Sequence, residues 1–245
     1  MSYYAALVAA LAQGAPAAAP PPPEMGAPVF LQLAAADDIL LATSTAATIV
    51  SESVSPPANA NVYAWFVTRR DATRTHDSVT AGFATVAGFT KLEDIEVEDP
   101  AGNFLRLSLW GAVTTATPGS GTITGTASGT AYQRMLGGAA VANVGSVVDT
   151  ASASNTSGNT VAITFSPGAA TGDVALVGSL GRGDSSGTLA FSDGLTHASN
   201  SPLNNSTNMT LGLGSKVSPA STQTTSGLAS NQAHLTMGVL LRGAA

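Results

Sequence analysis

Short runs of alternating apolar and polar residues, separated by turn residues, recur along most of this chain. In NFLRLSLWGAV every second residue from Leu105 to Leu109 is leucine, so an extended chain places leucine on one face and Arg106, Ser108 and Trp110 on the other. A period of two is typical of a half-buried β-strand. This pattern restricts the chain to folds assembled from brief strands.

The same period recurs in four later runs, each bounded by Gly, Pro, Asn or Ser: NTVAITFSPG, GDVALVGSL, NMTLGLG and AHLTMGVLLR. The run from Val62 to Thr68 contains no polar residue before its last position, so we expect a strand with both faces covered. Two shorter strands are predicted at Phe30–Leu33 and Ile39–Thr43, with Asp37 and Asp38 in the turn between them. No amphipathic helical period follows the N-terminus. The sequence therefore predicts an all-β fold, an antiparallel β-sandwich or jelly roll over residues 29–245.

Composition excludes several functions. Charged residues make up 10% of the 245 residues and the net charge is −6, and no Lys/Arg cluster accompanies aromatic residues, so the electrostatic footprint of nucleic-acid binding is absent. The chain has no cysteine, which excludes disulfides, thiolate metal sites and a cysteine nucleophile. No run approaches the 18 or so apolar residues of a membrane-spanning helix.

Residues 1–28 form a separate N-terminal unit. An apolar, helix-like piece, Tyr3 to Ala12, is followed by a proline-rich tract, Pro16 to Pro23, that we expect to be a stiff polyproline II spacer. This arrangement predicts an anchor that docks into another protein through Tyr3, Tyr4, Leu7, Val8 and Leu11. A tail without structure is the simpler alternative. A signal peptide is the other, but its positive n-region is missing, because the first basic residue is Arg69.

The stretch GRGDSSG, Gly181 to Gly187, contains an Arg-Gly-Asp tripeptide and a Gly-x-Ser-x-Gly centred on Ser185. A hydrolase elbow needs a helix directly after the serine, and the residues that follow do not predict one. The three histidines are too scattered to suggest a base: His76, His197 and His234. We expect a hairpin loop between two strands, with glycines that permit positive φ.

The acidic stretch KLEDIEVEDP places Asp94, Glu96 and Glu98 on one face of a strand. Such carboxylates are compatible with Ca²⁺, whereas a charge-protected edge strand is the structural alternative that we favour. Neither zinc-ligand spacing nor a phosphate-binding glycine loop occurs, so no metal or cofactor is predicted. Aromatic platforms for sugar are also scarce; the available residues are Tyr63, Trp65, Trp110 and Tyr132, and Trp110 is expected in the core.

Five stretches together resemble β-sandwich proteins encoded in the structural modules of tailed phages and prophages. They are PPANANVYAWFV, VAGFTKL, LRLSLWGAVTTATPGSGTITGT, SGNTVAITFSPGAATGDVALVGSLG and HLTMGVLLRG. The shared features are a strand after paired prolines, an Arg-x-Ser-x-Trp strand, a Pro-Gly-Ser-Gly-x-Ile-Thr hairpin and a second half rich in Ser, Thr and Gly. The likeness covers roughly Ser55 to Gly243 and is one of pattern. It departs from a sugar-binding protein in having no aromatic cluster in the expected loops.

The resemblance implies a virion component located on the particle surface: a head decoration or spike protein, or part of a tail fibre that contacts host surface glycans. We therefore expect a non-enzymatic protein, attached to other virion proteins through residues 1–28 and assembled as a homo-oligomer, trimeric or otherwise symmetric. A secreted bacterial adhesin or carbohydrate-binding module is the alternative. A glycan depolymerase that uses Glu96 or Glu98 is a third.

Overall fold

The computed structural model describes residues 29–39, 47–157, 160–182, 190–191, 196–197, 203–205, 209–226 and 233–243. Regular secondary structure in these ranges is entirely β, which confirms the predicted all-β class. The strands are β1 Val29–Ile39, β2 Thr48–Val50, β3 Asn61–Arg70, β4 His76–Ala81, β5 Thr90–Glu98, β6 Phe104–Val113, β7 Ile123–Ala127, β8 Gln133–Ala142, β9 Val144–Asn155, β10 Thr160–Thr164, β11 Val174–Arg182, β12 Ala190–Phe191, β13 Thr196–His197, β14 Leu203–Asn205, β15 Met209–Val217, β16 Thr222–Ser226 and β17 His234–Gly243. Nothing in the described ranges forms a helix of the length and apolar character needed to cross a membrane.

Four antiparallel sheets stack as layers. The N-terminal inner sheet has the order β1-β8-β3-β6-β5 and is covered by an outer sheet, β2-β7-β4. The C-terminal inner sheet has the order β13-β15-β11-β17-β9, with β14 also paired to β15, and is covered by β10-β16-β12. One apolar core fills the space between the two inner sheets, and a further core lies between each inner sheet and its outer sheet.

The two halves of the chain follow the same path. In the first half β1, β8, β3 and β6 form one sheet and β2, β7 and β4 the facing one, which is the connectivity of a jelly roll. The second half repeats it with β9, β17, β11 and β15 facing β10, β16 and β12. The short strands β13 and β14 pair with β15 as β5 pairs with β6. The body is thus two jelly rolls packed through their inner sheets.

The central strands explain this stacking. All positions of β3 from Val62 to Thr68 are buried, as predicted, because its two faces contribute to two different cores. Strand β6 also belongs to both cores: its leucines face the other half, while Trp110 faces the outer sheet and is 6% exposed. Trp110 is therefore in the core as expected, although β6 is buried on both faces rather than on one.

Two local predictions were wrong. Asp37 and Asp38 do not form a turn, since β1 continues through them and pairs them with Met135 and Arg134 of β8; ladder hydrogen bonds along the long partner strand outweigh the low strand propensity of aspartate. The Pro-Gly-Ser-Gly segment is not in a hairpin either. It connects β6 to β7, which lie in different sheets, because this stretch of a jelly roll crosses between its two sheets. The hairpin loop predicted for GRGDSSG lies mostly outside the described residues.

The ends of the body differ. Val29, at the start of β1, pairs with Ala142, and Gly243, at the end of β17, pairs with Val144. The first strand therefore begins and the last strand ends at one end of the body, which we call the terminal pole. The opposite end carries Arg69, Arg182 and the β5–β6 connection, and we call it the charged pole. The predicted anchor residues Tyr3, Tyr4, Leu7, Val8 and Leu11, with most of the predicted strand Ile39–Thr43, lie outside the described residues.

Candidate functional site

His76 is the hub of a buried polar cluster in the first half. Its Nδ1 lies 2.6 Å from Ser108 Oγ and its Nε2 lies 2.9 Å from Thr68 Oγ1. Trp110 Nε1 donates to the same Ser108 hydroxyl at 2.8 Å, and the Phe66 ring stacks on the imidazole. Burial lowers the pKa of His76 to about 3, so the ring is neutral at physiological pH. The cluster joins β3, β4 and β6 and is closed to solvent, since His76 is 1% exposed.

His234, at the start of β17, is the hub of a second buried polar cluster, in the second half. Its Nε2 lies 2.7 Å from Ser179 Oγ, and the Thr225 and Thr236 hydroxyls lie within hydrogen-bond distance of the serine. All four side chains are buried. Each cluster contains a Ser–His hydrogen bond of the kind that joins a nucleophile to its base in an active site. Neither serine oxygen is accessible to a substrate, however. The clusters instead link the inner sheet to the outer sheet in each half.

Only the first two residues of GRGDSSG are described. Gly181 and Arg182 end β11, whereas Ser185 and the residues from 183 to 189 lie outside the described ranges. The Arg182 guanidinium donates to the Asp99 carboxylate in the β5–β6 connection. The arginine of the Arg-Gly-Asp tripeptide is thus engaged in a contact between the two halves of the body.

The acidic strand β5 is at the edge of its sheet, as the structural alternative predicted. Asp94 accepts two hydrogen bonds from Arg106, at 2.7 and 2.9 Å, and one from Lys91 at 2.9 Å. Glu96 is 3.3 Å from Arg106, and Glu98 is exposed. Burial alone would raise the pKa of Asp94, but the hydrogen bonds from Arg106 and Lys91 leave it lowered. Asp94 and Glu96 are thus paired with cations, and the described residues contain no metal-binding group of His, Asp and Glu side chains.

The aromatic residues divide by exposure. Tyr63, Trp65 and Trp110 are buried. Tyr132 is half-buried at the charged pole, where its hydroxyl donates to Asp71 at 2.7 Å and the Arg70 guanidinium lies 4.7 Å from its ring centroid. Of the four aromatic residues that the sequence offered for sugar binding, only Tyr132 is partly accessible.

The terminal pole contains an apolar cavity of about 160 Å³. Its walls include Tyr63, Leu92, Val113 and Val147; Asn61 is the one amide side chain among them, and no Asp, Glu, Lys or Arg lines it. Tyr63 is 2% exposed, and its hydroxyl has no hydrogen-bond partner. Burial raises the pKa of this phenol, which is therefore a neutral donor. Sequence reasoning missed the cavity because Tyr63 and Val147 are 84 positions apart and meet only when the halves stack.

Exposed valines surround this cavity. Val113 and Val147 line it and are 42% and 44% exposed. Val86 is 69% exposed and donates its backbone N–H to the Val113 carbonyl at 2.8 Å. We call these three residues the valine collar. An uncharged, mostly apolar pocket with accessible valines at its rim is suited to bind an uncharged apolar group.

Comparisons of this chain with protein-family models, with curated proteins and with solved structures each found no match.

Proposed function

We propose that this chain is a non-enzymatic structural protein of a bacteriophage virion, attached to the particle through residues 1–28. The observation that carries the proposal is that β1, the strand that follows residues 1–28, begins at the terminal pole. A body tethered there holds its charged pole away from the attachment point. The pattern-level resemblance to phage structural proteins supports the same role.

The side-chain chemistry is consistent with binding rather than turnover. The two Ser–His clusters are enclosed between sheets, and Asp94 and Glu96 are neutralised by Arg106. These groups stabilise the body, and an attached structural protein requires a durable body. In this role the charged pole, with Tyr132 stacked against Arg70, is the surface turned toward host glycans.

The proposal is tested by particle association. Replacing Leu7 with Asp places a charge in the apolar segment, and Ala17→Asp is the matched control in the spacer. Particles from cells that express each variant are separated by density-gradient sedimentation, and the protein they carry is quantified. We expect Leu7→Asp to be lost from particles and Ala17→Asp to be retained, with the same β-type circular dichroism spectrum for both.

Two results would contradict the proposal. If Leu7→Asp remains on particles at the wild-type level, the N-terminal segment is not the anchor. If the wild-type chain is exported and found without residues 1–23, the segment is a removed leader, and the protein is a secreted adhesin or carbohydrate-binding module instead.

A further inference from the structure

We propose that the cavity at the terminal pole is the docking site for the apolar N-terminal segment, Tyr3 to Ala12, of a second copy of this chain. The inference deepens the proposed function and rests on the role of residues 1–28 as an anchor. It names a partner for that anchor, a neighbouring copy, and therefore a mode of assembly.

The first support is chemical complementarity. The cavity wall is uncharged and mostly apolar, with Asn61 as its one amide side chain, and the segment YYAALVAALA is also uncharged, with Leu7, Val8 and Leu11 as its large aliphatic side chains. A cavity of about 160 Å³ accepts one such side chain.

The second support is the exposed collar. The described residues include five strongly exposed large apolar side chains, and three of them form the valine collar: Val86, Val113 and Val147. The other two are Val50, on β2 in the outer sheet, and Val217, at the end of β15. Concentration of exposed apolar residues around one cavity is characteristic of a contact surface.

The third support, from chain geometry, favours a second copy over the same chain. Residue 28 adjoins Val29 on β1, whereas the cavity lies at β3 and β6 of the same sheet. In the sheet order β1-β8-β3-β6 that is at most three strand spacings, or about 14 Å. The spacer Pro16 to Pro23 has eight residues and spans about 25 Å as polyproline II. As polyproline II the spacer alone is longer than that separation, which favours docking in a neighbour over docking in the same copy.

The experiment uses the absence of native cysteine. Full-length Leu7→Cys and Val113→Cys chains, each with a different tag, are co-expressed, purified together and treated with a mild oxidant. The pair of Leu7→Cys and Val50→Cys chains is the matched control, because Val50 is also an exposed valine, at 52%, but lies outside the valine collar. Non-reducing electrophoresis then measures disulfide-linked dimers that contain both tags.

We expect the Leu7→Cys and Val113→Cys pair to form mixed-tag dimers at least five-fold faster than the control pair. Equal rates, or no mixed-tag dimer, would overturn the inference. A double variant that carries Leu7→Cys and Val113→Cys in one chain adds a direct test, since an intramolecular disulfide as the main product would show docking in the same copy and would also overturn it.

Sedimentation velocity of the purified full chain provides a readout without cysteines. We expect Val113→Asp to dissociate the wild-type oligomer and Val50→Asp to leave it unchanged. A wild-type chain that is monomeric at tens of micromolar would contradict the inference. Because no particle is present, this result is independent of the particle-association test: self-association can fail while Leu7 still anchors the chain to a virion, and the reverse can also occur.

Discussion

The indole of Trp65 on β3 lies directly against the backbone of Gly178 on β11. A Cβ atom at position 178 would be 2.2 Å from Trp65 Cδ1, far inside van der Waals contact. Trp65 is 1% exposed, and its Nε1 donates to the Met237 carbonyl at 3.4 Å. The largest side chain of the central core therefore fits only because the facing strand has no side chain at that point, and this fit sets the approach of the two jelly rolls.

Gly178→Ala is expected to lower the free energy of unfolding by about 2–3 kcal/mol, because the new methyl group overpacks a rigid indole in the central core. Urea unfolding followed by tryptophan fluorescence measures it. Gly111→Ala is the control: its nearest contact is Leu92 Cδ1 at 2.9 Å, the end of a flexible side chain that can move. An equal loss of stability in both variants would show that the contact between Trp65 and Gly178 is no less tolerant of an added methyl group than an ordinary contact with a flexible side chain.

Buried His76 predicts a loss of stability in mild acid. Its pKa is lowered to about 3 from about 6.5 in an unfolded chain, so the unfolded state binds the proton first and stability falls as pH decreases through this window. Between pH 7 and 5 the contribution is about 2 kcal/mol. Asp94 and Asp99 have lowered pKa values and remain charged over that range.

Urea unfolding of the wild type and of His76→Asn at both pH values isolates this contribution. The asparagine keeps polar contacts to Ser108 and Thr68 but does not titrate. We expect the fall in stability between pH 7 and 5 to be about 2 kcal/mol smaller in the variant. The same fall in both proteins would mean that His76 is protonated, or accessible, in the folded state.

The Asp99–Arg182 contact predicts a charge-dependent link between the halves. The Asp99 side chain is fully buried and also accepts hydrogen bonds from the backbone of Ala101 and Asn103. Asp99→Asn leaves Arg182 without its counter-charge and is expected to destabilise the body by about 2–3 kcal/mol.

The matched control is Asp71→Asn in the exposed pair with Arg70, where the aspartate is 56% exposed. We expect a much smaller loss of stability there, because solvent screens an exposed ion pair. Urea unfolding of both variants gives the comparison. If Asp99→Asn lowers the free energy of unfolding no more than Asp71→Asn does, the Asp99–Arg182 contact does not stabilise the body.

Strand positions could be predicted because apolar and polar residues alternate in the sequence wherever one face of a strand is buried. Residues such as Leu105 and Leu109 identify β6 from the sequence alone, and the unbroken run after Val62 identifies a strand with both faces covered. Asp37 and Asp38 were placed in a turn because local propensity was the only guide, whereas pairing with β8 determines the outcome.

The duplication was missed although traces of it are visible. Ser55–Pro56 precedes β3 and Ser166–Pro167 precedes β11, and threonine-rich β7 and β16 precede β8 and β17. Buried strand positions accept any apolar residue of similar size. The two halves therefore share an alternation of apolar and polar residues and not the residues themselves. The cavity and the His76 and His234 clusters could not be found from one strand at a time, because each joins strands distant in sequence.

We propose that this body belongs to a virion and is held there by its terminal pole. Electron cryomicroscopy of particles produced with and without the chain tests this attachment most directly. We predict that the wild-type particles carry extra density that accommodates the double jelly roll with β1 and the end of β17 toward the particle and the charged pole outward. Identical particles in both preparations, or density attached through the charged pole, would contradict the account.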